Sequence, residues 1–253
     1  MQEWWRDPRC HFGSIADSSP LLTDRSDLHV AVRFIVQQLH LQEGDSVLDL
    51  CSGPGRYVIE LSLRRLDVVG IDLNADYVEL GRQLVEREGV SAHLEVADMR
   101  EIPYTNRFDA VINVGTSFGF FESEAEDQRV IEGISGALKV DGRLLLEMGN
   151  RDYLLKNFAA ASSKENSDGS ITTVQRSFDY MKSRITTKFQ RRLNGELLET
   201  WSHSWRAYTL AEVVRLLAQA KLELISVFGG WQSEPYSVDS KRMVVISGKR
   251  ADS

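Results

Sequence analysis

The most constraining feature of the sequence is an apolar segment that runs directly into a loop of small residues. Ser46–Leu50 has the composition of a buried strand, Cys51–Gly55 contains two glycines, and a helical pattern begins near Tyr57. Glycine allows a ligand to approach the backbone where a side chain would clash. In parallel α/β sheets, ligands bind at the carboxyl ends of the strands. The segment therefore predicts a ligand-binding turn between a buried strand and a helix.

Strand and helix patterns alternate through the first 150 residues. Apolar residues at helical spacing predict helices at Ser26–Leu39, Tyr57–Arg64, Asp76–Glu88 and Ser123–Leu138. Short apolar runs predict strands at Ser46–Leu50, Asp67–Ile71, His93–Val96, Phe108–Val114 and Arg143–Met148, the last following an Asp141-Gly142 turn. This alternation predicts a parallel sheet with right-handed crossovers.

The pattern changes after the fifth strand. Ser162–Ser170 is polar and is predicted to be a loop. Three strand-like segments follow without a helix between them, and Asn194-Gly195 is a strong hairpin signal: Ile171–Met181, Arg184–Leu193 and Leu197–Tyr208. We therefore expect a small antiparallel insert.

The chain then returns to the core. Thr209–Lys221 is predicted to be a helix capped by Thr209 and Glu212, and Leu222–Phe228 and Met243–Ser247 are predicted to pair antiparallel. The expected fold class is α/β, a doubly wound, seven-stranded Rossmann-like sheet with an antiparallel last strand and a small antiparallel β insert. The expected domains are an N-terminal lid (1–24), a core (25–160 and 209–250) and the insert (170–208).

Composition argues against several functional classes. The net charge of −7 argues against nucleic acid as the partner, because proteins that neutralise phosphates usually carry a basic face. No apolar run is long enough to span a membrane, and the N-terminus lacks the pattern of a signal peptide. Two cysteines cannot build a disulfide framework or a zinc site, which favours the cytoplasm as the location.

Polar side chains stand at the ends of successive predicted strands. Asp72 closes the second strand, where a carboxylate can accept hydrogen bonds from both hydroxyls of a ribose. Asp98 and Met99 follow the third strand, where they can meet the amino group and the face of an adenine. Asn113 lies at the end of the fourth strand. Together these positions predict a site for an adenosine-containing ligand.

A dinucleotide-binding dehydrogenase is the main alternative for this pattern. Its fingerprint requires a third glycine where this sequence has Val58. Asp49, just before the loop, would repel a pyrophosphate but suits a ligand that carries a positive charge. Both residues argue against the dehydrogenase.

From near Ser26 to near Lys249 the chain resembles the class I methyltransferases that depend on S-adenosylmethionine (SAM), in particular a small-molecule branch with an antiparallel insert after the fifth strand. The stretches that carry the resemblance are Val47–Tyr57, Phe108–Val111, Thr116–Phe121, Asn150–Asp152 and Tyr208–Leu210. The family loop usually reads Asp-x-Gly-x-Gly-x-Gly, and here Cys51 replaces the first glycine. The loop and the resemblance imply that SAM is lined by Asp49, Cys51, Gly53, Gly55, Asp72, Leu73, Asp98, Met99 and Asn113.

The sequence gives weaker signals for the residues that bind the methyl acceptor. Ser117 and Phe118 follow the fourth strand and are candidates for substrate binding, as are Trp205 and Arg206 in the insert. Arg206 is either an anchor for a substrate carboxylate or an exposed strand arginine. His203 is the one weak candidate for a catalytic base, the alternative being a packed or surface histidine. Trp4, Trp5 and Phe12 either form a lid or pack on the first helix.

The expected function is methyl transfer from SAM to a nitrogen or oxygen atom of a small-molecule acceptor. An RNA or protein methyltransferase and a non-catalytic SAM-binding protein are the alternatives. No metal cluster is apparent in the sequence. The aromatic face of the insert is predicted either to roof the acceptor site or to form an oligomer interface, such as that of a homodimer.

Overall fold

The computed structural model describes residues 26–250, so the predicted lid lies outside the described residues. The helices are α1 (Ser26–Leu39), α2 (Arg56–Ser62), α3 (Ala75–Glu88), α4 (Glu124–Ala137), α5 (Arg151–Lys156) and α6 (Leu210–Gln219). The strands are β1 (Ser46–Leu50), β2 (Asp67–Asp72), β3 (Ala92–Val96), β4 (Phe108–Asn113), β5 (Leu138–Gly149), β6 (Ala161–Glu165), β7 (Ile171–Asp179), β8 (Arg184–Leu193), β9 (Glu196–Arg206), β10 (Leu222–Phe228) and β11 (Arg242–Lys249). Within the described range, no helix has the length and apolar character needed to cross a membrane.

The core is a seven-stranded sheet in the order β10-β11-β5-β4-β1-β2-β3. The pairs among β1 to β5 are parallel, whereas β11 runs antiparallel to both β5 and β10. The expected fold is confirmed. The strand order reverses between β1 and β4, and a doubly wound sheet binds ligands at such a switch point.

Both faces of the sheet are covered, which explains why β1 is buried along its whole length. Leu48 and Leu50 point into the apolar cluster that includes α4 and α6. Val47 points into the opposite cluster, which includes α1, α2 and α3. This alternation puts Asp49 on the same face as Val47.

Two elements before the insert differ from the sequence predictions. The strand β5 begins directly after α4, with the left-handed Asp141 (φ 62°) inside it, so the predicted Asp141-Gly142 turn does not precede the strand. The helix α5 was not predicted. It is capped by Asn150, whose side chain accepts a hydrogen bond from the backbone N–H of Asp152.

The insert is a separate sheet with four strands, in the order β6-β7-β8-β9. The prediction that all of Ser162–Ser170 is a loop was wrong, because its first residues belong to β6. All five residues of β6 are exposed, so no apolar alternation marks the strand, and pairing with β7 defines it. The Asn194-Gly195 hairpin is confirmed, with φ values of 51° and 87° that suit a type I′ turn.

Candidate cofactor and acceptor site

The glycine loop joins β1 to α2, and its two glycines have different surroundings. Both are left-handed, with φ 55° at Gly53 and 82° at Gly55. A Cβ atom on Gly53 would meet nothing within 4 Å, whereas one on Gly55 would lie 3.1 Å from Leu94 Cδ2. Gly53 therefore borders open space that a ligand can enter, and Gly55 allows the start of α2 to pack closely on the sheet.

Cys51 occupies a left-handed position, with φ 63°. This conformation is costly for a residue with a Cβ atom and free for glycine, which explains why the related loops use glycine here. The Cys51 Sγ atom lies 3.4 Å from Met99 Sδ, and burial raises the pKa of the thiol well above its usual value. Cys51 therefore stays a neutral thiol packed beside Met99.

Asp49 is a buried carboxylate at the carboxyl end of β1. Its exposed fraction is 2%, and its Oδ2 atom has no hydrogen-bond partner among residues 26–250. Burial raises its pKa to about 7, while the nearby Arg56 acts in the opposite direction. A buried carboxylate without a full set of partners is costly, and a cationic group beside it would relieve that cost. The ammonium group of SAM fits this requirement.

Asp72 ends β2 beside the glycine loop. Its Oδ2 atom accepts a hydrogen bond from the backbone N–H of Gly53, and its Oδ1 atom accepts one from that of Asn74, both at 2.8 Å. Each carboxylate oxygen has further acceptor capacity. Leu73 follows as a half-buried residue. The arrangement suits the proposed contact with ribose hydroxyls.

The remaining predicted cofactor residues lie at the same sheet edge. The charges of Asp49, Asp72 and Asp98 all act on the Cys51 thiol, so the structure brings these four residues together. Asn113 is buried, and its Nδ2 atom donates to the carbonyl oxygen of Leu50 at 2.7 Å, which ties β4 to β1.

Asp98 has a strong partner that the sequence did not reveal. Arg100 Nη2 lies 2.6 Å from Asp98 Oδ2, and Arg100 Nη1 lies 2.8 Å from Glu126 Oε1. The Asp98 carboxylate is therefore held in place by an arginine that also anchors the start of α4.

Glu147 is a further buried carboxylate, and the sequence analysis missed it. Its exposed fraction is 1%. Glu147 Oε2 accepts a hydrogen bond from the backbone N–H of Gly115 at 2.6 Å, and Oε1 accepts one from Arg242 Nη1 at 2.8 Å. Gly115 and Thr116 are both left-handed, with φ 90° and 59°. Glu147 thus supports the strained loop after β4. In the sequence, the signal that could have identified Glu147 is its position as a lone carboxylate inside an otherwise apolar strand.

The candidate acceptor residues do not all reach the cleft. Ser117 lies in the loop after β4, where its Oγ atom donates to the carbonyl oxygen of Val114 at 3.2 Å. Phe118 is only 1% exposed and packs on the ring of Tyr208, with a centroid distance of 5.5 Å. Phe118 is therefore part of the core beneath the loop, and its side chain offers no surface to a substrate.

The insert joins the core at the carboxyl edge of the sheet. The backbone N–H of Arg206 donates to the carbonyl oxygen of Gly119 at 2.7 Å. Trp205 lies so close to Gly149, at the end of β5, that a Cβ atom there would be 3.3 Å from the indole. The Arg206 side chain donates to the carbonyl oxygen of Lys182 at 3.0 Å. Trp205 and Arg206 thus connect the insert to the loops that follow β4 and β5.

His203 lies among aromatic rings on the insert. Its ring centroid is 6.4 Å from that of Phe120 and 5.4 Å from that of Phe189. These contacts describe a packed histidine beside the cleft.

Comparison with known proteins gives an independent view of the chain. The model of the family described as "Methyltransferase domain" matches residues 47–142. A cypemycin N-terminal methyltransferase from a Streptomyces species is 24% identical over 209 residues, which is 81% of this chain and 83% of the relative. A tRNA (uracil(54)-C(5))-methyltransferase from Pyrococcus abyssi is 36% identical over 88 residues, 35% of this chain, and this match spans only 22% of the archaeal protein.

The solved structures agree at the level of the fold. A S-adenosylmethionine-dependent methyltransferase from Clostridium acetobutylicum matches with a TM-score of 0.79 at 16% identity, covering 95% of this chain and 98% of that one. The glycine loop with its buried carboxylate, the strand order and the matching domain all agree: residues 47–142 form a methyltransferase domain, on the doubly wound fold of the S-adenosylmethionine-dependent methyltransferases that this chain resembles.

Proposed function

We propose that the enzyme methylates a nitrogen or oxygen atom of a small-molecule acceptor. The observation that carries this proposal is the junction between Arg206 and Gly119 at 2.7 Å, because it fixes the insert beside the carboxyl edge where the cofactor residues lie. Trp205 at the end of β5 reinforces the junction. A cleft bordered by an insert in this way suits an acceptor that is mostly enclosed.

The chain's own residues would then bind and orient the reactants. Asp49 would hold the ammonium group of the cofactor, Asp72 the ribose, and Asp98 with Met99 the adenine. SAM supplies a methyl group on a sulfonium, which is already activated for displacement by a lone pair of the acceptor. Because the electrophile needs no further activation, proximity and orientation are the main contributions required of the protein.

Nitrogen is the better supported acceptor atom. A neutral amine carries a lone pair and needs little help from a base, whereas a phenol or carboxylic acid must first lose a proton. His203, the one candidate for a base, packs between the rings of Phe120 and Phe189. The relative named as an N-terminal methyltransferase, which aligns with most of this chain, is consistent with this preference.

An RNA acceptor has weaker support. The match to the tRNA enzyme covers only part of the core. Two of the basic residues of the insert already have partners: Arg184 donates to the carbonyl oxygens of Phe120 and Phe121, and Arg191 pairs with Asp168. Arginines that support the fold in this way are less available to bind phosphates.

The test is a transfer assay with SAM labelled on the methyl group. Separate pools of amines, phenols, carboxylic acids and RNA are incubated with the purified protein, and label in each pool is counted. We expect incorporation in the amine pool. Label confined to RNA would overturn the proposal, and saturable SAM binding without transfer to any pool would support the non-catalytic alternative.

A further inference from the structure

The two faces of the insert sheet differ sharply in chemistry. One face carries polar side chains that line a shallow groove, to whose lining Trp201 also contributes: Thr173, Gln175, Lys188, Gln190, Thr200 and Ser202. The opposite face, here called the inner face, carries two largely aromatic cross-strand triplets on β7, β8 and β9, separated by a second triplet of Arg176, Thr187 and His203. The first triplet consists of Phe178, Ile185 and Trp205, and the third consists of Val174, Phe189 and Trp201. A sheet with one apolar face usually covers that face.

Within residues 26–250, burial on the inner face is concentrated at the first triplet and at the adjoining Thr187. Ile185 and Trp205 are buried, with Leu154 of α5 and Phe120 packed against them. In the third triplet, the side chains of Phe189 and Trp201 remain half-exposed. The aromatic surface therefore continues outward from the junction with the core.

Four rings form a continuous series along this surface, and we call them the aromatic row: Phe120, His203, Phe189 and Trp201. The centroid distances between successive rings are 6.4, 5.4 and 4.9 Å. Phe120 belongs to the loop after β4, whereas Trp201 lies four residues before Trp205 on β9. At about 3.3 Å per residue, the row extends about 13 Å from the junction.

The orientation of the rings indicates what they can bind. Phe189 and Trp201 are stacked with an interplanar angle of 3°, and their centroid separation matches the spacing of neighbouring strands. Rings stacked across strands in this way stand upright on the sheet and point their edges outward. The edge of an aromatic ring is electropositive and attracts the π face of another aromatic ring.

The charged neighbours of the row are already engaged. Arg176 donates to Ser162 Oγ and to the carbonyl oxygen of Ala159, and Arg191 pairs with Asp168. The outer part of the row is therefore suited to an uncharged planar group.

We propose that the aromatic row is a subsite for a planar aryl group carried by the methyl acceptor. This inference rests on the proposed function, and it restricts the acceptor class to amines or hydroxyl compounds that bear an aryl group about two rings wide. The row begins at Phe120, in the loop that borders the cofactor residues, so an acceptor seated there keeps its reactive atom at the cleft.

Calorimetry with two matched amines tests the proposal, with the protein saturated in S-adenosylhomocysteine. The probes are 2-(1-naphthyl)ethylamine and 2-cyclohexylethylamine, which share the amine and differ in the planar group. We expect the wild type to bind the naphthyl probe at least about tenfold more tightly. Trp201→Ala should lower that affinity about tenfold, and Trp201→Phe should retain most of it.

Thr200→Ala provides the control, because Thr200 is the neighbour of Trp201 on the polar face. Its affinity for the naphthyl probe should equal that of the wild type. Equal affinities of the wild type for the two amines, or an unchanged naphthyl affinity in Trp201→Ala, would overturn the proposal. A change in Trp201→Ala restricted to oligomeric mass would also overturn it and would assign the inner face to a second copy of the chain. Failure of the proposed function is distinguishable, because it would appear in the transfer assay as label confined to RNA or as no transfer to any pool, whereas the aryl subsite is measured by binding of the two probes.

Discussion

The backbone N–H of Gly53 donates a hydrogen bond to Asp72 Oδ2 at 2.8 Å, which ties the end of β2 to the glycine loop. The other carboxylate oxygen accepts from Asn74, at the start of α3. Asp72 therefore holds the loop in shape and still offers acceptor capacity to a ligand. The same side chain can serve both the local fold and the cofactor.

Replacement of Asp72 by alanine should weaken cofactor binding. Loss of charge-assisted hydrogen bonds costs roughly 1.5–3 kcal/mol, so the affinity for S-adenosylhomocysteine should fall about ten- to a hundredfold. Calorimetry measures the change, and Asp67→Ala, an exposed position at the other end of β2, is the matched control. Unchanged affinity in a folded Asp72→Ala protein would show that Asp72 is not the ribose acceptor.

Cofactor affinity should depend on pH through Asp49. Burial raises the pKa of Asp49 to about 7, so the free protein carries a neutral carboxyl group below that pH. A ligand ammonium favours the ionised form, and the affinity for S-adenosylhomocysteine should therefore fall by up to about tenfold per pH unit between pH 7 and 5. Above pH 7 the affinity should level off.

The Asp49→Asn variant isolates this effect. It should bind S-adenosylhomocysteine more weakly at pH 8 and show no such slope between pH 5 and 7. The comparison is needed because Asp127, which hydrogen-bonds Tyr208, also has its pKa raised to about 7 by burial. A slope that survives in Asp49→Asn would assign the titration to another group.

The stability of the ligand-free protein should show the opposite trend. Between about pH 4 and 7 the unfolded chain has released the Asp49 proton while the folded chain retains it. The free energy of unfolding should therefore decrease as pH rises through this window, relative to Asp49→Asn. Urea unfolding of both proteins at pH 4.5 and 7 measures the difference.

The site should discriminate against nicotinamide dinucleotides. The buried Asp49 would repel a pyrophosphate, and Val58 occupies the position of the third glycine of the dinucleotide fingerprint. We expect S-adenosylhomocysteine to bind and NAD to show no heat of binding at millimolar concentration. NAD binding without binding of S-adenosylhomocysteine would contradict the assignment of the site.

Gly70 should be essential for the packing of α2 on β2. A Cβ atom on Gly70 would lie 2.7 Å from Val58 Cγ2 and 2.8 Å from Ser52 Oγ. Gly70→Ala should lower the free energy of unfolding by about 1–3 kcal/mol, because overpacking forces neighbouring groups to move. Gly136→Ala is the control in urea unfolding: a Cβ atom there meets nothing within 4 Å, and alanine favours a helix. Equal stabilities for the two variants would show that the contact at Gly70 is readily relieved.

The acceptor role of the insert is testable through Trp205 and Arg206. Arg206→Ala and Trp205→Phe should raise the acceptor KM or lower kcat about tenfold, with SAM affinity changed less than twofold. Trp205→Ala should also lower the free energy of unfolding by about 3–5 kcal/mol, because it leaves a cavity against Ile185. If only the oligomeric mass changes and both kinetic constants stay the same, the insert is an interface.

Local patterns were sufficient wherever a segment carried its own signal. The helix capped by Thr209 and Glu212 begins as predicted, and the helix predicted from Ser123 begins with a capping box of Ser123 and Glu126; each cap involves residues only three positions apart. The β6 strand carried no such signal, because its exposed polar residues pair through the backbone alone. Its existence depends on β7, which the sequence of β6 does not encode.

The sequence by itself determined the order of the seven core strands, the doubly wound sheet and the edge at which the predicted cofactor residues lie, because Asp49, Asp72 and Asn113 all stand near strand ends that topology brings together. Only the tertiary structure decided how these groups are held. Gly53 with Asp72, Asp98 with Arg100, and Gly115 with Glu147 are contacts between different segments of the loops and strands at that edge. The tertiary structure also buried Phe118 and left Trp201 half-exposed, since burial depends on what packs against a residue and not on the residue's type.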